Sequence, residues 1–276
     1  MKGTLLRVRP LRVLFFACAL ALPATAFAAA GGPRLEGLRL VAEIPAELPP
    51  RVSSIAYDGE KIWVVVYHGR GLYATLDPST LRWEVGRDES HQAAIRGLTG
   101  RFQSPGGICF DGGRLWVGAS YGDSFGYVDT RDWKTARAFK GRQREEGGGP
   151  REDATQVYAG LACDGANLWI AWHWFRYDIP ASRTQLLLKV DAGTGKVVAE
   201  YPLPGGSGAD MTHGLTWDGS RLWHIKGSLL SAIDPADGWV RAQYELPGVR
   251  RASGLAWDGR SLWIAEFDGK VWRLPF

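Results

Sequence analysis

Gly254-Leu-Ala-Trp-Asp-Gly-Arg-Ser-Leu-Trp263 is one of five variants of a single phrase in this chain. The others read Ser54-Ile-Ala-Tyr-Asp-Gly-Glu-Lys-Ile-Trp63, Gly107-Ile-Cys-Phe-Asp-Gly-Gly-Arg-Leu-Trp116, Gly160-Leu-Ala-Cys-Asp-Gly-Ala-Asn-Leu-Trp169 and Gly214-Leu-Thr-Trp-Asp-Gly-Ser-Arg-Leu-Trp223. Every copy keeps Asp-Gly and a Trp five residues after the Asp. Successive copies start 53, 53, 54 and 40 residues apart. A period of roughly 40–50 residues with strand-like segments indicates propeller blades.

One copy is readable in physical terms. A short apolar strand ends at Asp-Gly, a pair that favours the positive φ angles of a tight hairpin. A second strand carries Leu-Trp. A third ends in another turn, as at Leu76-Asp77-Pro78, Val128-Asp129-Thr130, Val190-Asp191-Ala192-Gly193 and Ile233-Asp234-Pro235. A fourth follows, such as Val197 to Tyr201. No segment shows a helical apolar period over 12 or more residues. The sequence therefore predicts an all-β, five-bladed β-propeller with four-stranded blades, spanning 37–276. Trp rings would fill the wedges between blades. After Gly254 there is room for three strands only. Gly37 to Ile44 is strand-like and lacks the phrase, so it is expected to dock as the outer strand of the last blade and to cover that edge. The alternative array, a solenoid, would require terminal capping repeats that the sequence lacks.

The N-terminus has the pattern of an export signal. Lys2, Arg7, Arg9 and Arg12 precede an apolar run from Val13 to Leu22, and Ala26-Phe27-Ala28 supplies small residues at a cleavage site. Residues 1–28 are read as a cleaved signal peptide and 29–36 as a short N-terminal segment. An uncleaved anchor or a lipid on Cys18 are the alternatives; the run is short for a span, and the residues before Cys18 are bulky. The expected location is the periplasm or the exterior. The chain carries 33 Lys+Arg and 29 Asp+Glu, and the leader holds four of the bases and no acid. The remainder is formally neutral, which argues against a nucleic-acid partner. No integral membrane domain is expected after cleavage, and the protein is read as a monomer.

In a propeller the Asp-Gly and Asp-Pro turns share one face, where their aspartates do turn chemistry. The opposite face receives the long connections, at about 87–103, 141–156, 204–211 and the hairpin 173–184. Long loops on a rigid scaffold are where function concentrates. Residues opening the inner strands there are Ser53, Ser104, Tyr158, His213 and Ser253. Ends of second strands add Tyr67, His68, Tyr121, Trp172, His173, Lys226 and Glu266. His68, His173 and His213 come from three blades, and His91 lies in a loop of the same face. Such a cluster would suit a metal or a general base, although no close His spacing marks a ligand set and no metal or cofactor is assigned. His224, beside Trp223, reads as a packed blade residue. Lys226 and Glu266 hold the same repeat position in neighbouring blades, as a salt bridge or a ligand-facing pair. Trp172, Trp174, Phe175 and Tyr177 form an aromatic cluster suited to a sugar, peptide or partner chain.

Two motif matches carry little. Gly118-Ala-Ser-Tyr-Gly122 matches a nucleophile elbow but follows a propeller strand with no helix after it. Gly193-Thr-Gly-Lys196 lacks the rest of a phosphate loop. Cys109 and Cys163 hold the third and fourth places of their phrases. Alternation along a strand makes them either face each other across blades two and three or point apart.

The phrase Gly-Leu-Ala-Trp-Asp-Gly with Leu-Trp, five blades, a leader and this size resemble the glutamine cyclotransferase-like propellers of bacteria and plants. The resemblance runs from about Leu40 to Phe276, and the phrase also looks like those of gluconolactonase-type and surface-layer propellers. It implies a propeller whose channel mouth holds acidic and polar groups that cyclise N-terminal glutamine. The family's Phe-Thr-Gln-Gly-Leu and Gly-Glu-Gly-Leu correspond here to Val52-Ser53-Ser54-Ile55 and Gly106-Gly107-Ile108. Its Asn-Glu-Leu-Glu has no counterpart, because Asn167 is the only asparagine. The catalytic acids do not carry over.

The function expected is that of a binding propeller. It would hold a peptide, glycan or envelope protein on the loop-rich face, through Ser53, Ser104, Tyr121, Tyr158, Trp172, Trp174, Lys226 and Ser253. The alternative is a channel-mouth enzyme, cyclotransferase-like or metal-assisted, using His68, His173, His213 and Glu266. Catalysis would require these groups to converge on one reacting atom.

Overall fold

The computed structural model describes residues 33–67, 72–99, 104–122, 124–134, 136–141, 154–176, 184–204 and 213–276. The leader, His68 and Tyr177 lie outside the described residues.

Five four-stranded antiparallel sheets form the blades. Blade one is β2 (Val52–Tyr57), β3 (Ile62–Val66), β4 (Tyr73–Leu76) and β5 (Trp83–Val85). Blade two is β6 (Pro105–Asp111), β7 (Arg114–Ala119), β8 (Ser124–Asp129) and β9 (Ala136–Lys140). Blade three is β10 (Ala154–Cys163), β11 (Asn167–Arg176), β12 (Thr184–Asp191) and β13 (Val197–Pro202). Blade four is β14 (Gly214–Trp217), β15 (Leu222–Lys226), β16 (Leu229–Ile233) and β17 (Val240–Glu245). Blade five is β18 (Ala252–Trp257), β19 (Ser261–Glu266), β20 (Lys270–Pro275) and, as its outer strand, β1 (Arg39–Glu43), in the order β1-β20-β19-β18. The N-terminal strand closes the ring as expected. Strands β10 and β11 run ten residues each, so part of what read as a loop after His173 is strand.

The apolar core divides by blade pair. Separate buried clusters join blades one and two, two and three, three and four, four and five, and five and one. Trp116, Trp169, Trp223 and Trp263 are fully buried in them. Trp63 is only half-buried, and its ring is covered by Tyr73 and Trp133. Between blades one and two lies a helix the sequence did not reveal, α1 (Glu89–Leu98), with Asp88 as its N-cap. It buries only Ile95 and Leu98, an i, i+3 pair too brief to register as a period. His91 sits on α1, stacked at 3.7 Å on Trp133 of the β8–β9 turn and bonded to Tyr73 Oη at 2.9 Å. It belongs to this packing and not to the loop-rich face.

The first place of the phrase lines the ring's centre. A Cβ on Gly254 would lie 2.6 Å from the Ile55 nitrogen, and one on Gly214 2.6 Å from the Gly254 carbonyl carbon. On Gly160 it would meet the His213 oxygen at 3.0 Å, and on Gly107 the Gly160 Cα at 2.9 Å. Blade one has Ser54 there, whose Oγ accepts the Ile108 N–H at 3.2 Å. Each inner strand thus presses its backbone on the next around the circle. This explains the glycines, since a Cβ at those four positions would fall within about 3 Å of the next blade's backbone.

The aspartates do more than turn. In four copies one carboxylate oxygen accepts two amides of a four-residue loop, and the other accepts the indole N–H of the Trp five residues on. The indole distances are 2.6 Å to Asp58, 2.8 Å to Asp164, 2.7 Å to Asp218 and 2.8 Å to Asp258. Blade two departs. Gly112 and Gly113, at φ 53° and 108°, make a two-residue hairpin, and Asp111 bonds Arg114 instead. Trp116 Nε1 is buried with no hydrogen-bond partner among the described residues. Loss of a hydrogen bond to a charged group costs about 1.5–3 kcal/mol. Trp169→Phe should therefore destabilise the protein by about 2 kcal/mol more than Trp116→Phe, since only the first breaks such a bond. Urea unfolding of the two variants checks this, and equal losses would refute a stabilising role for the Asp–Trp bond.

Cys109 on β6 and Cys163 on β10 form a disulfide, with Cα atoms 6.3 Å apart. It ties blades two and three.

Candidate functional site at the loop-bearing mouth

Four of the five inner strands carry a β-bulge at their opening, between Val52 and Ser54, Pro105 and Ile108, Tyr158 and Gly160, and Ala252 and Gly254. A bulge re-aims the side chains beside it. Ser53, Ala159, His213 and Ser253 share the position just before the phrase. Ser53 Oγ donates to the Val65 carbonyl at 3.2 Å, and Ser253 Oγ to that of Ala265 at 3.4 Å. These hydroxyls are engaged within their own blades. Ser104 and Tyr158 precede that position by two and one residues and are fully buried. The Ser104 carbonyl accepts the Ser120 N–H at 2.9 Å.

Blade four has an imidazole where blades one and five have serine. His213 Nδ1 lies 2.7 Å from His224 Nε2, so one of the two carries the shared proton. His173 stands edge-on to His213, with centroids 4.4 Å apart. All three rings are at most 2% exposed. Burial, then the neighbouring imidazoles and Lys226, hold His213 well below the usual histidine range. Burial first, then His173 and Lys226, lower His224 to about 3. The structure thus brings His173 and His213 together and adds His224, which read from sequence as packing alone. Among the described residues no group of three His, Cys, Asp or Glu has a geometry that holds a metal.

The other expected residues sort by burial. Trp172 is 1% exposed, part of the core between blades two and three, and donates from Nε1 to Gln156 Oε1 at 2.9 Å. Tyr158 Oη donates to the same oxygen at 3.1 Å. Trp172 and Tyr158 are therefore core residues with polar tips, not ligand-facing aromatics; Trp174 is half-buried against the same core. Glu266 is 2% exposed. Its Oε1 accepts the amides of Arg250 at 2.6 Å and Arg251 at 3.0 Å, and its Oε2 the Trp272 indole at 2.7 Å. Lys226 Nζ reaches Gln185 Oε1 at 3.3 Å. The expected Lys226–Glu266 pair gives way to these separate contacts, because the Glu266 carboxylate is consumed by its own corner.

A half-exposed aromatic arc remains at the mouth. Tyr67, just past blade one's second strand, has its ring 6.3 Å from Phe267, the matching residue of blade five, and 6.1 Å from Tyr121, one place past the matching residue of blade two. The Arg251 guanidinium lies 4.1 Å over Phe267. Tyr121 has φ 58°, a left-handed conformation unusual for a bulky residue and a frequent mark of functional sites. Sequence reading named Tyr67 and Tyr121 but missed Phe267 and Arg251. The signal available for Phe267 was the repeat position it shares with Tyr67, four residues after Trp263 and Trp63.

No protein-family model matches the chain, and no curated protein matches it in sequence. Solved structures with a similar course of the chain exist. Virginiamycin B lyase from Staphylococcus aureus is 12% identical, with 87% of this chain and 99% of that one covered and a TM-score of 0.49. A chain of the mitotic checkpoint complex is 13% identical over 93% of this chain and 68% of that one, at 0.45. A chain of a nidogen/laminin complex is 17% identical over 79% and 73%, at 0.47. These likenesses concern fold alone. The chain is a five-bladed β-propeller.

Proposed function

We propose that this chain is an exported, monomeric binding propeller that holds a peptide, glycan or envelope-protein ligand at its loop-bearing mouth. The observation carrying this reading is the half-exposed arc of Tyr67, Tyr121 and Phe267. Aromatic rings at a concave mouth on a rigid scaffold give contact area at low entropic cost. The glutamine cyclotransferase-like phrases support kinship at the level of blades. Catalysis in this mouth is supported less well. His173 and His213 are buried against each other and His224, and Glu266 is committed to backbone amides. A test is binding of the mature protein to arrayed peptides and glycans, beside a Tyr67→Ala/Phe267→Ala variant. Binding that is lost in the variant is the expected result. No binding by the parent, or equal binding by both, would overturn the reading.

A further inference from the structure

We infer that a cavity on the flank of the ring, between blades two and three, binds a small organic carboxylate with an apolar body. It is separate from the mouth and does not depend on the reading above. The cavity has a volume of about 390 Å³, within the range that takes small ligands. Its buried walls are Phe125 on β8, Tyr158 on β10, and Leu188 and Val190 on β12. Val197 on β13 lines one side and is half-buried. Protein interiors are packed nearly solid, so a space of this size against four buried rings and branched side chains stands out. Gly195 bounds it, and a Cβ there would lie 2.1 Å from the Phe139 ring. The outer strands of the two blades therefore touch beside the cavity. The Cys109–Cys163 bond ties the same blades, and Cys109 packs in one cluster with Phe125, Tyr158, Leu188 and Val190. The walls are thus held at a fixed spacing before any ligand arrives, which lowers the cost of binding.

The open edge is cationic. Lys140 and Lys196 line the cavity and are exposed, one from each blade. Neither ammonium has an ion pair or hydrogen bond among the described residues. The Arg137 guanidinium, 4.8 Å over the Phe139 ring, adds positive charge beside them. No acid is among the described residues that line the cavity. Asp191, at the foot of the same hairpin as Lys196, accepts the Thr194 N–H at 2.7 Å and its hydroxyl at 2.6 Å. Glu200, the cross-strand neighbour of Leu188, is engaged in a contact of its own. Apolar walls below two lysines fit a ligand of split character. A ring or short chain enters the cavity, and its carboxylate stays at the edge, where the flexible ammonium groups reach it. A cation would meet like charge there, and a neutral body would leave the lysines without an anion.

The test is titration calorimetry of residues 29–276 with 2-naphthoate, octanoate and the neutral 2-naphthamide. Pairing with partly exposed lysines should favour the naphthoate over its amide by about fivefold or more. Lys140→Gln/Lys196→Gln should abolish that preference and leave amide binding unchanged. Its melting temperature should stay within about 2 °C of the parent's, because exposed substitutions shift stability little. Val197→Phe should fill the space and weaken acid and amide alike by about tenfold or more; the lysine variant still decides the matter if this one does not fold. Tyr67→Ala/Phe267→Ala should bind naphthoate as the parent does, which separates the cavity from the mouth. Tighter octanoate than naphthoate binding, sensitive to the lysines, would support the site and assign it to chains, and the reverse order would assign it to rings. Naphthoate binding lost in the Tyr67/Phe267 variant would overturn the inference and move the acid to the mouth. An acid preference kept in the lysine variant, or no binding of any probe by the parent, would overturn it as well.

Discussion

Lowering the pH from 7.5 to 5 should cost the protein about 4 kcal/mol of stability through two histidines. His213 and His224 are buried and neutral in the fold, with pKa values pushed down by burial and by neighbouring cationic groups, His224 to about 3. In the unfolded chain each titrates near 6.5, roughly the value of a free histidine. The folded pKa values are the lower ones, so the unfolded state binds more protons as the pH falls. The contribution is complete above about pH 7, declines below about 6.5, and keeps declining until the pH reaches the folded values, with a limiting slope of about 1.4 kcal/mol per pH unit for each group. Urea unfolding at intervals from pH 7.5 to 5 measures the slope. His224→Leu should roughly halve it, whatever it does to stability at neutral pH. A flat profile in the parent protein would show that the imidazole pair is already protonated or open to water.

Opening the Cys109–Cys163 bond should lower stability by about 4 kcal/mol, for a loop of this length in the chain-entropy model. The bridged residues are 54 positions apart, so the bond removes much of the unfolded chain's freedom. It also crosses a blade interface, where sliding would begin. For a domain of this size the loss corresponds to roughly 10 °C in melting temperature. Calorimetry of the oxidised protein, the reduced protein and a Cys109→Ser/Cys163→Ser variant provides the comparison. Reduced and oxidised forms melting within about 2 °C of each other would show that the bond adds nothing. A thiol titration of residues 29–276 before denaturation should find neither Cys109 nor Cys163 free.

Much of the candidate site was half-legible. Ser53, His213 and Ser253 hold one repeat position, and their place at the openings of inner strands followed from counting along the phrase. Ser104 and Tyr158 lie two and one residues before that position, which Gly106 and Ala159 hold in blades two and three. Trp172 read as a binding aromatic and is core. It sits on β11, which runs past the expected end of the blade, and the extra strand length brings the ring under Gln156. His224 read as packing and proved to be the partner of His213. Nothing in the spacing of two residues eleven apart shows that the imidazole opening one strand will reach its neighbour on the next.

The repeat alone determined the five blades, the closing strand and the wedge tryptophans. Those follow from alternation along strands, turn residues and a count of strands per copy, all of which are local in sequence. The glycines at the ring centre, the pairing of aspartate with tryptophan, the disulfide, the buried imidazole pair and the arginine corner above Phe267 were decided by tertiary structure. The Asp–Trp bonds, the imidazole pair and the arginine corner each lie within one blade and depend on the direction its backbone gives a side chain; the glycines and the disulfide depend on the distances between blades. Those quantities are set when the ring closes, because every inner strand then packs against its neighbours at a distance that no single repeat specifies.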